Sequence, residues 1–459
     1  IERVRFVDGT GTLHDVSRDD ADPQKRDVFD AVCVSMGLLG IVTKVFFRAV
    51  PSYALAGQQV TTPTTESAID FFGDQPGLVS FEDFLRGASY TRLMWWPQSG
   101  FDRMVVWQAS RAENAPGFVA QPYLELGRAP RVSALAGSLF YTLIGNLDDV
   151  TVVPAKLDDW YEALDETLED DPDPNACKAV AAGPRRKVAI EEVISFLDAA
   201  IRRATKKHPK LSNPTTSLEG FLGGLASLVQ PHHGSAMDDI VAGIITELVK
   251  LLLDGALDNP VAKELGKLLK NEMPYLIDEI LGPFVPDGTI WFQDTWMCGL
   301  PMDNQMDDRL WPTVFTELWV PVSKAADVMK ALRDYYAGGG DKKVAYDHTG
   351  AFSCEIYAAK KSPYWLSASY GGDMLRIDVF WFGKNAGDPA DSFYPPFWDL
   401  LKPFGFRPHW GKTLPTPSAK WVAYYDQQLP RLADFRKLRA TLDPDGVFLT
   451  PYWKAHLGL

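Results

Sequence analysis

The feature that most constrains the fold is a six-residue string with a basic residue at each end, RPHWGK at residues 407–412. Pro408 restricts the backbone and Gly411 accepts conformations that other residues avoid, so the string predicts a tight turn. Trp410 favours a place in a core, while His409 and Lys412 add polar groups that a core does not need. The string therefore predicts either a structural turn with a buried tryptophan or a turn that carries functional side chains.

A second turn lies near the start of the chain, between Phe29 and Val50. A short amphipathic segment ends at Gly37, Gly40 follows after two leucines, and residues 41–48 then alternate as an apolar strand. Glycine carries no Cβ, so the backbone at this turn can approach another group closely. The residues alone leave open a tight helix-to-strand connection and a surface against a ligand.

Three stretches together resemble one known family, the aldonolactone and alditol oxidases, which have a vanillyl-alcohol-oxidase type FAD domain. They are the RPHWGK string, the early turn, which is similar to the signature G-x-L-G-[IV]-[IV]-T, and the C-terminal run LDPDGVFL at residues 442–449. The resemblance implies FAD as cofactor, held by Ser35, Gly37, Leu39, Gly40, Ile41, Val42, His409, Trp410 and Lys412. It covers residues 1–50 and about 310–459 well, and the middle of the chain poorly.

The resemblance also predicts a partner. In that family the phosphate-binding loop precedes the early strand, and this sequence starts at Ile1 within a predicted hairpin. We therefore expect an N-terminal chain or segment that completes the FAD site, as in a two-chain or processed protein. Without it, half of a FAD domain would expose an apolar face and unpaired strand edges.

Three alternating runs are predicted as strands that carry chemistry: Phe315–Val322, Ser353–Tyr357 and Leu375–Phe382. Alternation places Glu355 and Tyr357 on one face of their strand, and Asp378 and Phe380 on one face of theirs. Oxidation of an alcohol by a flavin requires a group that accepts the hydroxyl proton and positive charge near the reduced flavin. The predicted strands and Lys412 can offer such groups.

The resemblance implies catalytic roles for Glu355 and Lys412, with Glu317, Asp378 and Tyr357 as further candidates; Glu317 is equally typical of an ion-paired sheet residue. The sequence departs from the family at three positions. Tyr357 stands in place of an arginine, and in the alditol oxidases a histidine and a threonine stand where this chain has Asp378 and Phe380.

These departures remove a positive charge and two polyol-binding groups. They predict a pocket for a flatter and more apolar substrate, with Lys412, Arg407 or Arg376 as replacements for the missing cation.

Residues from about 187 to 284 are predicted as a helical insert, with helices at Lys187–Thr205, Ile240–Asp254, Val261–Lys270 and Met273–Leu281. An apolar stripe over residues 240–252 is too short and interrupted for a membrane span, although contact with a lipid surface stays open. A subdomain packed on a sheet and a lid over an apolar substrate are both consistent with this pattern. The long helical insert and the many aromatic residues resemble those of the FAD-linked (type II) cholesterol oxidases.

The predicted fold is α+β, with the C-terminal part of a FAD-binding domain at residues 1–55, a substrate (cap) domain at 56–407 and a return to the FAD domain at 408–459. The predicted function is FAD-dependent oxidation of a small-molecule alcohol, with hydride transfer from the carbinol carbon to flavin N5. A bulky apolar secondary alcohol such as a sterol is the favoured substrate. The alternatives are a sugar, alditol or aldonolactone oxidase and a redox-inactive flavin-fold binding protein.

Composition limits the remaining possibilities. A formal net charge of -14 argues against a nucleic-acid partner, which would need a basic face. The four cysteines are widely spaced and predict neither a disulfide framework nor a zinc site, and His232-His233 lacks further ligands nearby. No metal is therefore expected. The sequence leaves the location open between a soluble cytoplasmic and a secreted protein.

Overall fold

The structure is a computed structural model that describes residues 1–113, 118–121, 130–165, 187–207, 249–250, 253, 260–300, 308–350 and 352–459. Its strands are β1 (Arg3–Val7), β2 (Leu13–Ser17), β3 (Ile41–Phe46), β4 (Ala54–Pro63), β5 (Ile69–Asp70), β6 (Val79–Ser80), β7 (Tyr90–Trp96), β8 (Arg103–Ala112), β9 (Gly288–Thr295), β10 (Thr313–Pro321), β11 (Cys354–Ala359), β12 (Met374–Phe382) and β13 (Arg407–Pro408).

The described helices are α1 (Pro23–Val32), α2 (Phe81–Gly87), α3 (Pro130–Ile144), α4 (Asp158–Asp165), α5 (Ile190–Lys207), α6 (Pro260–Leu281), α7 (Trp296–Gly299), α8 (Ala325–Tyr336), α9 (Lys342–Thr349), α10 (Pro389–Ser392), α11 (Tyr394–Leu401), α12 (Ala419–Gln428), α13 (Leu432–Leu442) and α14 (Pro451–Leu457). Mixed helices and sheets confirm the predicted α+β class.

An eight-stranded antiparallel sheet forms the centre of the molecule, in the order β13-β10-β12-β11-β7-β8-β4-β9. One face buries Leu318, Ile377, Ile356 and Leu93 in a large apolar core that also contains residues of α8 and α11. Successive side chains of a strand point to opposite faces. The neighbouring residues on these four strands therefore lie together on the other face, which carries the polar groups described below.

A second aromatic core covers part of that polar face. It contains buried residues of α3, α5 and α6 together with Trp311, Phe352 and Phe382 from the sheet and its approaches. Helix α6 is one continuous helix with Pro274 inside it, where the sequence predicted two helices. Met273 and Ile277 on either side of the proline are both buried, so packing keeps the helix continuous despite the lost hydrogen bond.

Several expectations for the insert fall outside the described residues: the apolar stripe at positions 240, 244, 248, 251 and 252, and the pair His232-His233. None of the helices that the structure describes combines the length and apolar character needed to cross a bilayer. Cys298 is disulfide-bonded, whereas Cys33 and Cys354 are free thiols. The wide spacing of the cysteines did not predict this bond, because separation along the chain says nothing about distance in the fold.

The two ends of the chain pack together. Strands β2, β1 and β3 form a small antiparallel sheet, and helix α1 begins at Pro23. The carboxylate of Asp22 caps that helix by accepting from the amide of Gln24. The turn between β1 and β2 meets the C-terminal LDPDGVFL run, since the amide of Gly9 donates to the carbonyl of Leu442 at 2.9 Å.

Candidate active site

Three carboxylates form a row across neighbouring strands on the polar face of the central sheet. Glu317 of β10 lies directly opposite Asp378 of β12, which lies directly opposite Glu355 of β11. Their exposed fractions are 2%, 0% and 5%. Like charges placed opposite one another destabilise a sheet, and buried charges need partners. The row therefore requires cations close to it.

Arg376 of β12 supplies one of these cations. Its Nε lies 3.1 Å from both carboxylate oxygens of Asp378 and 3.4 Å from Oε1 of Glu317. Its second terminal nitrogen also binds Asp378 and lies 3.8 Å from Oε2 of Glu355. Arg376 thus contacts all three members of the row. Burial lowers the pKa of Arg376 on its own, but the bond to Asp378 outweighs this and raises it.

Arg92 of β7 supplies the second cation, from the other side of the row. Its Nε donates to Oε1 of Glu355 at 2.5 Å, and both side chains are almost completely buried. Two guanidinium groups facing three carboxylates leave one formal negative charge unbalanced. Burial accordingly raises the pKa of Asp378 well above its usual range, although Arg376 opposes the shift. The cations occupy the space between the carboxylates, and no metal-binding group of His, Cys, Asp or Glu occurs among the described residues.

Tyr357 shares the face of Glu355, as alternation predicted, and donates its hydroxyl to Oε1 of that residue at 2.9 Å. Burial raises the pKa of Tyr357, so the phenol stays protonated. The register places Arg376 directly opposite Tyr357 on the neighbouring strand. Positive charge is therefore present beside position 357 even though that position itself holds no arginine.

The RPHWGK string lies along the edge of β10, beside Glu317. Strand β13 pairs with residues 318 and 319, and the amide of His409 then donates to the carbonyl of Glu317 at 3.0 Å. The ammonium of Lys412 lies 3.8 Å from the centre of the Phe315 ring. The turn thus holds His409 and Lys412 next to the carboxylate row, and both remain predicted site residues.

Two residues of the same string have structural roles. Trp410 is 8% exposed and donates its indole N–H to the carbonyl of Leu366 at 2.7 Å. Arg407 donates to the carbonyls of Gln428 and Tyr370, each at 2.7 Å. Both side chains thus already have protein partners, and the cofactor contact at Trp410 and the replacement cation at Arg407 stay predictions.

The early turn divides into buried and exposed residues. Leu39 is fully buried and Ser35 nearly so, which leaves only their backbone to meet a cofactor, and both stay predicted contacts. Gly40 does permit a close approach, but to protein: a Cβ there would lie 2.3 Å from the carbonyl oxygen of Val7. Gly37 is exposed and has a φ of +76°, which favours glycine.

Strand β3 keeps an uncovered apolar surface. Ile41 is 61% exposed, Val42 45%, and Phe47 just beyond the strand 73%. Among the strands that the structure describes, β3 pairs only with β1, and its other edge is open there. This surface fits a FAD-binding half-site, because an adenine ring or the remainder of a FAD domain would cover apolar groups that otherwise face water. Ile41, Val42 and Gly37 thus remain predicted cofactor contacts.

A cavity of about 450 Å³ adjoins the carboxylate row on the polar face. Glu355 and Arg92 form part of its wall, and aromatic rings form most of the remainder: Trp96, Tyr141, Phe284, Trp311, Phe315, Phe352 and Phe380. This size lies within the range of small-molecule sites. Arg92 was missed from the sequence, although an arginine directly before the apolar run 93–96 was a usable signal.

Comparison with known proteins supports the resemblance seen in the sequence. The family model described as D-arabinono-1,4-lactone oxidase matches residues 288–456. Alditol oxidase from a Streptomyces species is 34% identical over 100 residues, which are 22% of this chain and 23% of that protein. L-gulono-1,4-lactone dehydrogenase from Mycobacterium tuberculosis is 30% identical over 107 residues, 23% of each chain. The aligned stretches thus span less than a quarter of these relatives.

Among solved structures, cholesterol oxidase from B. sterolicum aligns with all of this chain and with 69% of its own, at a TM-score of 0.48 and 14% identity. A solvent-stable cholesterol oxidase aligns over the same shares at a TM-score of 0.48 and 13% identity.

Proposed function

We propose that this chain, which is similar over residues 288–456 to the D-arabinono-1,4-lactone oxidase family and in shorter stretches to an alditol oxidase, oxidises a CH–OH group of a sugar lactone or sugar alcohol. FAD is the cofactor of this family and accepts hydride when bound. The observation that carries the proposal is the row of Glu317, Asp378 and Glu355, paired with two arginines at the wall of a cavity. The relatives favour this substrate class over the sterol that the sequence suggested.

Glu355 is the carboxylate that both belongs to the row and lines the cavity. Its Oε1 accepts from Arg92 and Tyr357, whereas no hydrogen bond to Oε2 occurs among the described residues. This arrangement fixes the carboxylate plane and leaves Oε2 for a substrate hydroxyl, whose proton it would accept as hydride leaves the carbinol carbon. Arg376 and Lys412 supply fixed positive charge nearby.

A second candidate substrate is a flat, largely apolar ring alcohol. The observation that favours it is the cavity wall itself, where Phe380 and Phe315 lie with ring centres 5.3 Å apart. Aromatic walls bind ring faces well and bind an extended polyol chain poorly. Both candidates place the reacting hydroxyl at Glu355, and they differ in what fills the rest of the cavity.

Anaerobic mixing with a substrate panel tests the proposal. L-gulono-1,4-lactone, xylitol and cholesterol would each be added to the oxidised protein, and loss of the flavin band near about 450 nm would be followed. Bleaching by the lactone or xylitol supports the first candidate, and bleaching by cholesterol alone supports the second. If none of the three reduces a bound flavin, the oxidase function is rejected in favour of a redox-inactive binding protein.

The open edge of β3 supports one further part of the proposal, namely that an N-terminal chain or segment completes the FAD site. A denaturing gel and the intact mass of the purified protein test it directly. A second polypeptide, or a chain longer than the 459 residues given, together with a yellow colour, is the expected result. A colourless preparation of the single 51.0 kDa chain would contradict it.

A further inference from the structure

A groove of about 510 Å³ lies on the face of the central sheet opposite to Glu355. Its floor is a row of three side chains that stand directly opposite one another on neighbouring strands: Trp291 of β9, Gln58 of β4 and Gln108 of β8. The register carries the face of Glu355 through β7 to Val105 of β8. Since Gln108 follows Val105 by three residues, alternation turns its side chain to the other face. The groove is therefore separate from the cavity beside Glu355.

Small residues keep this groove open to solvent. Helix α2 and the residues after it form the second wall, where Gly87 and Ala88 line the groove, and Ala56 lines it from the sheet. A Cβ at Gly87 would meet nothing within 4 Å. Trp291 is 65% exposed and lines the groove, so an aromatic surface is available to a bound molecule.

Two glutamines bring unused hydrogen-bonding groups to the floor. Gln58 and Gln108 are half-buried and directly opposite each other, yet neither carboxamide has a hydrogen-bond partner among the described residues. Their amide atoms keep accessible surface, because neither side chain belongs to the fully buried groups that lack a partner in the described structure. Each carboxamide offers two N–H donors and one acceptor oxygen. A molecule in the groove can therefore reach donors and acceptors on two strands.

The charges around the groove select against ionic ligands. Asp83 is the one charged side chain among the described residues that line it, and its Oδ2 already accepts from the hydroxyl of Ser80 at 2.7 Å. An anion would meet this carboxylate without a lysine or arginine to bind it. A cation would find a single exposed carboxylate, which gives weak binding. Neutral groups that both donate and accept, next to an aromatic ring face, fit a ring that carries hydroxyl groups.

We propose that this groove binds a neutral oligosaccharide. The apolar face of a pyranose ring packs on Trp291, and the ring hydroxyls exchange hydrogen bonds with Gln58 and Gln108. The row spans about 10 Å across three strands, so the site is longer than one sugar ring. Since the groove and the cavity at Glu355 lie on opposite faces of the sheet, this binding does not depend on the proposed oxidation.

Calorimetric titration of the purified protein, with whatever cofactor it retains, tests the proposal. Cellotetraose, mannotetraose and maltotetraose are the probes, and the tightest binder is then titrated into the groove variants. Trp291→Ala removes the ring, Gln58→Met and Gln108→Met each replace a carboxamide by an apolar group of similar size, and Gly87→Phe fills the groove. Circular dichroism checks that each variant is folded.

Two variants outside the groove are the matched controls. Trp296→Ala removes another exposed tryptophan, which is 40% exposed on α7. Gln59→Met removes a half-buried carboxamide from the same strand as Gln58, on the opposite face. We expect neither control to change the affinity.

Trp291→Ala and each glutamine variant should weaken binding about 3- to 10-fold, the usual range for one ring contact or one hydrogen bond. Gly87→Phe should abolish it. Tetraglucuronate, the anionic counterpart of cellotetraose, should bind more weakly than cellotetraose because Asp83 repels it.

Several results would overturn the proposal: no binding of any of the neutral probes, equal affinities in the groove variants and the controls, or tighter binding of tetraglucuronate than of cellotetraose. Sedimentation velocity adds one more. A dimer that Gly87→Phe dissociates would show that a second copy of the chain covers the groove instead. None of these results depends on flavin bleaching, so the carbohydrate site and the proposed oxidase function fail separately.

Discussion

Arg376 holds its guanidinium 4.4 Å from the centre of the Tyr357 ring, from the directly opposite position on the next strand. The contact is a cation–π interaction in a partly buried setting, and the same guanidinium binds Asp378. Tyr357, which stands where the resembled family has an arginine, thus lies against a neighbour that carries a positive charge. The positive charge beside position 357 therefore comes from the neighbouring strand β12, and β11 itself need not supply it.

The first prediction concerns the stability of the row. Arg376→Met leaves Asp378 buried and without its cation, so the free energy of unfolding should fall by about 3–5 kcal/mol. Urea denaturation followed by circular dichroism measures the loss. The double variant with Asp378→Asn should recover most of it, because the uncompensated charge is then gone. Arg86→Met, which removes an exposed ion pair, should leave the midpoint unchanged, and an equal loss there would refute the assignment.

Lys412 is predicted to assist reduction of the flavin. Lys412→Ala should slow flavin reduction at least about tenfold, the usual effect of removing one electrostatic stabiliser. Stopped-flow absorbance with the best substrate of the panel measures this rate. Lys420→Ala is the control, because Lys420 pairs with Asp399 on the exposed surface. An unchanged rate in Lys412→Ala would remove Lys412 from the site.

His409 should titrate below its ordinary pKa of 6.5. The residue is exposed overall, yet desolvation of its imidazole by the surrounding protein lowers the pKa; Glu317 partly offsets this, while Lys412 and Arg376 lower the pKa further. Because the folded-state pKa is the lower one, the contribution of His409 to stability is complete above pH 6.5 and is lost as the pH falls through the lowered value.

Histidine-selective NMR titration measures this pKa. Glu317→Gln should lower it further and Lys412→Ala should raise it. A value above 6.5 in the unaltered protein would contradict this account.

The contact between the β1–β2 turn and the C-terminal LDPDGVFL run is predicted to be too closely packed to accept an added carbon. A Cβ at Gly9 would lie 2.3 Å from a carboxylate oxygen of Asp443, which is fully buried. Gly9→Ala should therefore destabilise the protein by about 1–3 kcal/mol, as overpacking usually does. Gly87→Ala is the matched control, since nothing lies within 4 Å of its added carbon. Equal urea midpoints for the two variants would show that the contact between Gly9 and Asp443 adjusts to the added carbon without loss of stability.

Strand alternation was sufficient to predict that Glu355 and Tyr357 share a face, but nothing in the sequence indicated that the late string would lie beside Glu317. Alternation could not give the strand order. Arg92 and Glu355 are 263 residues apart in the chain, and only the pairing of β7 with β11 brings them together. A sequence shows which way a side chain points within its strand but not which strand lies next to it.

The early turn shows a different limit. Gly40 was correctly expected to allow a close backbone approach, but the approaching group is the carbonyl of Val7 rather than a ligand. The spacing of glycines in a sequence shows where the backbone needs room, but it does not show which group lies next to it. Tyr141 was not singled out at all, because a tyrosine within an apolar helix is typical of a core.

The cavity has two sides: residues of the central sheet form one side, called the floor, and residues of the helices form the other, called the roof. The floor residue Glu355 is fixed by arginines of neighbouring strands, while the roof residue Tyr141 belongs to α3 and its aromatic neighbours. Substitutions in the roof can therefore accumulate without moving Glu355, the proposed proton acceptor. Evolution or laboratory selection can therefore change the substrate through substitutions in the roof, while the proposed reaction at Glu355 stays the same.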